Sequence, residues 1–90
     1  MQESSGPVTV KLNRDPVYHR ADDNQMKIVV YGDVDGENAT FIDFLAMNQG
    51  LWPYIALREG DRATITYSTP IFPIDGDLDA LAIEDISLVV

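Results

Sequence analysis

The 90-residue chain contains no cysteine. It therefore forms no disulfide framework, offers no thiolate nucleophile and builds no zinc–cysteine site. A single histidine, His19, leaves no set of imidazoles for a multi-histidine metal centre. Bases are scarce as well: six Lys and Arg stand against fifteen Asp and Glu, a net charge of −9. Binding to a phosphate backbone normally draws on several Lys or Arg contacts, and anionic membrane surfaces repel such a chain for the same reason. No apolar run approaches the roughly 20 residues that cross a bilayer as a helix. No glycine-rich phosphate loop is present, so the expectation is a chain without a cofactor. Residues 1–7, with neither a basic nor an apolar stretch, do not read as an intact signal peptide. The resulting expectation is a cytoplasmic chain, or one from which a signal has been removed.

What the sequence does contain is the mixture of a globular domain, 46% hydrophobic and 23% charged. Its length suits one domain, expected over 8–90 behind a flexible leader at 1–7. The charge is unevenly spread. Residues 1–32 hold four bases and four acids, whereas residues 33–90 hold only Arg58 and Arg62 against eleven acids and so carry the whole −9.

The apolar pattern reads as strands. Val8–Leu12 alternates at period two, as a half-buried strand does. Pro16 lacks an N–H to donate, so Pro16–His19 reads as an edge or a bent continuation. Met26–Val34 is rich in β-branched residues and is followed by Asp35-Gly36, which supplies positive φ for a type I′ hairpin. The returning strand is expected over Ala39–Met47. A strict two-residue loop places Ile28 opposite Asp43 and Lys27 opposite Phe44, leaving neither face cleanly apolar; a bulge near Gly32-Asp33, or a strand shared between two sheet faces, would resolve this. Leu51, Tyr54, Ile55 and Arg58 fall at helical spacing, which predicts a short helix over Leu51–Leu57. Arg62–Tyr67 alternates again, and Leu81–Val90 closes the chain as an apolar strand.

Three strands, a short helix and two strands, in this order, resemble the OB-fold, a five-stranded Greek-key barrel with a helix between strands three and four. The resemblance rests on the Val8–Met47 meander, the Leu51–Leu57 segment, the Arg58-Glu59-Gly60-Asp61-Arg62 entry into the next strand and the closing Ala80–Ile86 run. It covers most of the chain as a pattern of elements and implies little about activity, because one such fold hosts many functions.

Candidate chemistry is sparse. Asp75, Asp77 and Asp79 alternate like the opening of a calcium loop, but the glycine and glutamate of an EF-hand would fall at Ala80 and Ile86. A solvated acidic loop is the simpler reading. Ser68 or Ser87 with His19 lacks the Gly-x-Ser-x-Gly elbow of a hydrolase, and no enzyme is expected. OB-type nucleic-acid binders stack bases on aromatics of strands two and three within a positive groove. Tyr18, Arg20, Lys27 and Tyr31 are the residues that could form such a face here, or a face for another partner; net charge opposes nucleic acid. Trp52 and Tyr54 are candidate partner anchors, since Trp and Tyr bury large areas with few rotatable bonds. The leading expectation is thus a small acidic, non-catalytic accessory module that engages a protein partner, with a basic partner the natural complement. The alternatives are a single-stranded nucleic-acid binder and a structural domain dimerising through its last strand.

Overall fold

The computed structural model of the chain describes residues 4–22, 24–46, 50–52, 54–69 and 80–89. It contains six strands: β1 (Ser4–Leu12), β2 (Val17–Arg20), β3 (Gln25–Val34), β4 (Glu37–Ala46), β5 (Arg62–Ser68) and β6 (Leu81–Leu88). Hydrogen-bonded neighbours run β1-β5-β6-β4-β3, and β1 pairs with β3 to close a five-stranded barrel, with β2 an additional strand on the free side of β3. All pairings are antiparallel except β4 with β6. The result is a closed, mixed barrel, compatible with a small OB-like barrel.

The β3–β4 hairpin has the strict register that its turn dictates. Val34 pairs with Glu37 across Asp35 (φ 53°) and Gly36 (φ 85°), and the ladder runs without a shift to Gln25 opposite Ala46. The bulge expected near Gly32-Asp33 is absent from this ladder, and Ile28 lies opposite Asp43 as the two-residue loop requires. The mixed faces are resolved by sharing β3. Its inward side chains, Ile28 and Val30, join Val10, Leu12, Phe41 and Ile65 in the barrel core, while Val29 packs outside with Ile42, Ala80, Val17 and Tyr31. β3 pairs with β1 at Asp33 and Gly32, then with β2 from Val29 to Met26. Pro16 and its neighbours fall at this handover, so the bent continuation is a strand of its own. Gly32 permits it: a Cβ there would overlap Val10 Cγ1 and come 2.8 Å from the Lys11 carbonyl oxygen.

Two sequence expectations change. β1 begins at Ser4 and pairs with β5, within the stretch expected as leader; a kink at Gly6 (φ 102°) and a register shift between Ser5 and Val8 hide the alternation before Val8. The helix over Leu51–Leu57 is replaced by a single 3-10 turn, Tyr54–Ala56, and the described residues contain no α-helix. Leu51, Tyr54 and Leu57 are the residues that turn inward while Ile55 is exposed. That is a spacing of three, the period of a 3-10 helix, where eclipsed side chains disfavour longer runs. The Asp61 carboxylate accepts the Arg58 N–H and the Arg58 guanidinium donates to the carbonyls of Ile55 and Leu57, ending the turn. No helix among the described residues is long and apolar enough to cross a membrane.

The barrel thus has two distinct ends. β4 finishes at the lower end beside the 3-10 turn; the Asp35-Gly36 turn and the start of β6 lie at the upper end.

Candidate functional site

Alternation along paired strands fixes which side chains share a face. On the outer face, His19, Lys27 and Phe44 form one cross-strand row over β2, β3 and β4, with Val17, Val29 and Ile42 in the next and Tyr31 beside Thr40 beyond. A cavity of about 300 Å³ lies against His19, Arg20, Lys27 and Phe44. Of the four residues expected on a binding face, Lys27 and Tyr31 therefore point outward together. Tyr18 is in register with Ile28 and falls on the opposite side of the sheet, whereas Arg20, at the end of β2, lines the same cavity as Lys27; the structure therefore separates Tyr18 from the rest of the set. The Arg14 guanidinium lies 4.8 Å from the centre of the Tyr31 ring, a cation–π contact that covers a face a base would need. Burial raises the Tyr18 hydroxyl above its usual range, with Arg58 opposing and Asp15 adding to the rise.

At the lower end, Trp52 and Tyr54 have opposite fates. Trp52 is 70% exposed, whereas Tyr54 is 1% exposed and belongs to the core. The Tyr54 hydroxyl donates to Asp43 Oδ2 at 2.6 Å. Tyr54 is therefore a plug and not a partner anchor: its ring fills the barrel mouth, and its one polar atom is occupied within the chain. Burial lifts the Asp43 carboxyl above the usual carboxylate range, with Glu84 adding to the rise and hydrogen bonds from Tyr54 and the Phe44 backbone opposing it. Burial and the Asp43 carboxylate together hold the Tyr54 hydroxyl protonated. Asp43 was not singled out from the sequence, although the hairpin register places it on the inward side opposite Ile28. Beside Tyr54 in the chain, Ile55 is 57% exposed; on the sheet, Phe44 is 41% and Tyr18 38% exposed. These side chains do not share one face, since Phe44 lies in the outer row with Lys27 and Tyr18 on the opposite side of the sheet.

The upper end is different in kind. A cavity of about 420 Å³ opens there, floored by Phe41, Tyr67 and Leu81 and rimmed by Asp35 and Glu37. The Phe41 and Tyr67 rings meet edge to face, with centroids 5.7 Å apart. Asp33 nearby is engaged by the Asn13 side-chain amide, which also donates to Asn38. Asp35 and Glu37 have no hydrogen-bond or ion-pair partner for their carboxylates among the described residues.

No group of three or more His, Asp or Glu among the described residues could hold a metal ion; the Asp75–Asp79 segment lies outside the described residues. His19 sits at the lower end of β2 and Ser68 at the upper end of β5, where its buried hydroxyl has no partner. β6, which would need an edge position to dimerise, pairs with β4 at Leu81 and Ala82 and with β5 from Ala82 to Leu88. No protein-family model matches the chain, and no curated protein or solved structure is significantly similar to it.

Proposed function

We propose that this chain is a small non-catalytic binding module that engages a protein partner through the lower end of its barrel, with Trp52 as the anchor. The observation that carries the reading is the exposure of Trp52 and Ile55 on either side of Tyr54, which is buried and hydrogen-bonded to Asp43. Apolar surface concentrated at one place on a small domain marks an interaction site, and a rigid, exposed indole is a typical energetic centre of one. The net charge of −9 favours a basic partner by speeding encounter and suppressing acidic competitors. The test is affinity capture with the wild-type chain and with a Trp52→Ala/Ile55→Ser variant. A partner held at physiological salt by the wild type and held at least tenfold more weakly by the folded variant is the expected result. Equal retention by both would remove the lower end from the proposal.

A second reading, single-stranded nucleic-acid binding by an OB-type Greek-key barrel, has its own support. The strand order with a parallel β4–β6 pair and a plug between β4 and β5 suits that fold. The outer row of His19, Lys27 and Phe44 lies on the strands such domains use. Against it stand the net charge and the guanidinium over Tyr31. Fluorescence anisotropy of a labelled 20-nucleotide single strand at low and physiological salt separates the two. The protein-partner reading expects no binding at either. Salt-sensitive binding that Lys27→Ala or Tyr31→Ala abolishes would put nucleic acid first.

A further inference from the structure

We infer that the upper cavity is a receptor for a lysine or arginine side chain presented by a basic protein segment. The inference does not rest on the lower-end surface.

The cavity combines two features that only a cationic, long-stemmed group satisfies together. Below a polar rim that includes Asn38, the half-buried Val34, Ala39, Tyr67 and Leu81 give an apolar strip over the buried Phe41, which suits the methylene stem that Lys and Arg bury while keeping their heads in water. Its rim carries Asp35 and Glu37, whose carboxylates lack partners among the described residues. An anion would be repelled by that rim. An uncharged apolar ligand would suit the floor but would strip water from two carboxylates without replacing it. A compact inorganic cation would leave the floor exposed.

The geometry is also set in advance. Asp35 is the first residue of a two-residue turn with φ 53° beside Gly36 at 85°, a hairpin type that fixes the backbone on both sides. Glu37 is the first residue of β4, paired with Val34. The two rim residues therefore flank one rigid turn, and the Phe41–Tyr67 pair below is anchored in the core. A site held this way loses little freedom when a side chain enters.

The experiment is a titration of the ¹⁵N-labelled chain with an acetylated, amidated hexapeptide containing two lysines, read by amide chemical shifts. A peptide with both lysines replaced by norleucine serves as the control. Saturable shifts concentrated on residues 34–41, 67 and 81 are expected, with none of that pattern for the norleucine peptide. Asp35→Asn/Glu37→Gln should weaken binding about tenfold, since each exposed ion pair contributes modestly. Leu81→Trp, which keeps both carboxylates but fills the floor, should abolish the pattern. Shifts that follow every acidic residue alike, including Glu84 and Asp85, or binding that survives Leu81→Trp, would overturn the inference. These outcomes are independent of Trp52, because the probe carries no apolar anchor and the shifts are read at the other end.

Discussion

The two ends of this barrel are built from the same hairpin and solve opposite problems. At the lower end, β4 turns Asp43 toward the interior, and the chain returns to cover it with Tyr54, which fills the mouth and donates to the carboxylate. At the upper end, the turn of the same hairpin holds Asp35 and Glu37 at the rim of an open cavity, with no partner among the described residues. An inward carboxylate thus obtains its donor from within the fold, while the rim carboxylates have none among the described residues. The apolar residues divide in the mirror sense. The upper end keeps Phe41 and Tyr67 beneath its cavity, and the lower end carries Trp52 and Ile55 beyond its plug. Whether a side chain holds the fold or is available to a partner is decided by the position of the plug, not by residue type.

The contrast is broken most directly by removing the plug. Tyr54→Ala deletes a fully buried ring at the mouth of the core, and truncating a buried aromatic costs about 3–5 kcal/mol. Against a total stability of about 5–15 kcal/mol for a domain, the variant should unfold at much lower urea. Equilibrium denaturation followed by circular dichroism checks this. A loss below about 1 kcal/mol would mean that the lower end is not sealed by Tyr54.

A smaller change sharpens the comparison through pH. Tyr54→Phe keeps the ring and removes the donor to Asp43, leaving a partly buried carboxylate short of a hydrogen bond, at a cost of about 1–3 kcal/mol at neutral pH. Because burial raises the Asp43 pKa in the folded state above 3.8, folding favours its protonated form. The associated stability is fully present below 3.8 and is lost as pH rises through the folded value. Removing the Tyr54 hydroxyl takes away a bond that favours the charged form, so the folded value rises further and the loss grows. The gap between wild type and Tyr54→Phe should therefore be larger at pH 7 than at pH 3.5. Asp43→Asn, which still accepts from Tyr54 and cannot ionise, should flatten this contribution. A gap independent of pH would show that the Asp43 charge carries no part of the penalty.

How much of this could be read from the chain follows from which interactions are local. The hairpin was legible down to its register, because Asp35-Gly36 between β-branched runs fixes the turn type, and the turn type fixes every pair from Val34–Glu37 to Gln25–Ala46. β5 was legible because Ala63 and Ile65 alternate cleanly. The segment Leu51–Leu57 was not, since i, i+3, i+4 spacing and a three-residue inward period share Leu51 and Tyr54 and differ only at Ile55 and Leu57. The start of β1 was obscured by the Gly6 kink, which breaks the period on which strand recognition depends. At the candidate site, the opposite exposures of Trp52 and Tyr54 depend on which of two neighbouring aromatics meets Asp43. That contact joins residues eleven apart through the sheet register and the plug together, and no local pattern encodes it.

The smallest expected effect on stability is at Trp52, and it decides what the lower end is for. A side chain 70% exposed makes few of the contacts that hold a core, and surface substitutions of this kind usually change stability by no more than about 0.5 kcal/mol. Trp52→Ala should accordingly unfold within that margin of the wild type, in contrast to Tyr54→Ala two residues away. Trp52 is the only tryptophan, so its fluorescence reports the same point without a substitution. In the free chain, emission should resemble that of indole in water and be quenched readily by acrylamide. On partner binding it should shift to the blue and become protected, because an anchor enters a dry pocket. Protection in the isolated chain, at concentrations where its mass is that of a monomer, would place Trp52 inside the fold and remove the anchor on which the lower-end proposal depends. Protection that fades on dilution, together with a dimer mass, would instead assign the surface to a second copy of the chain.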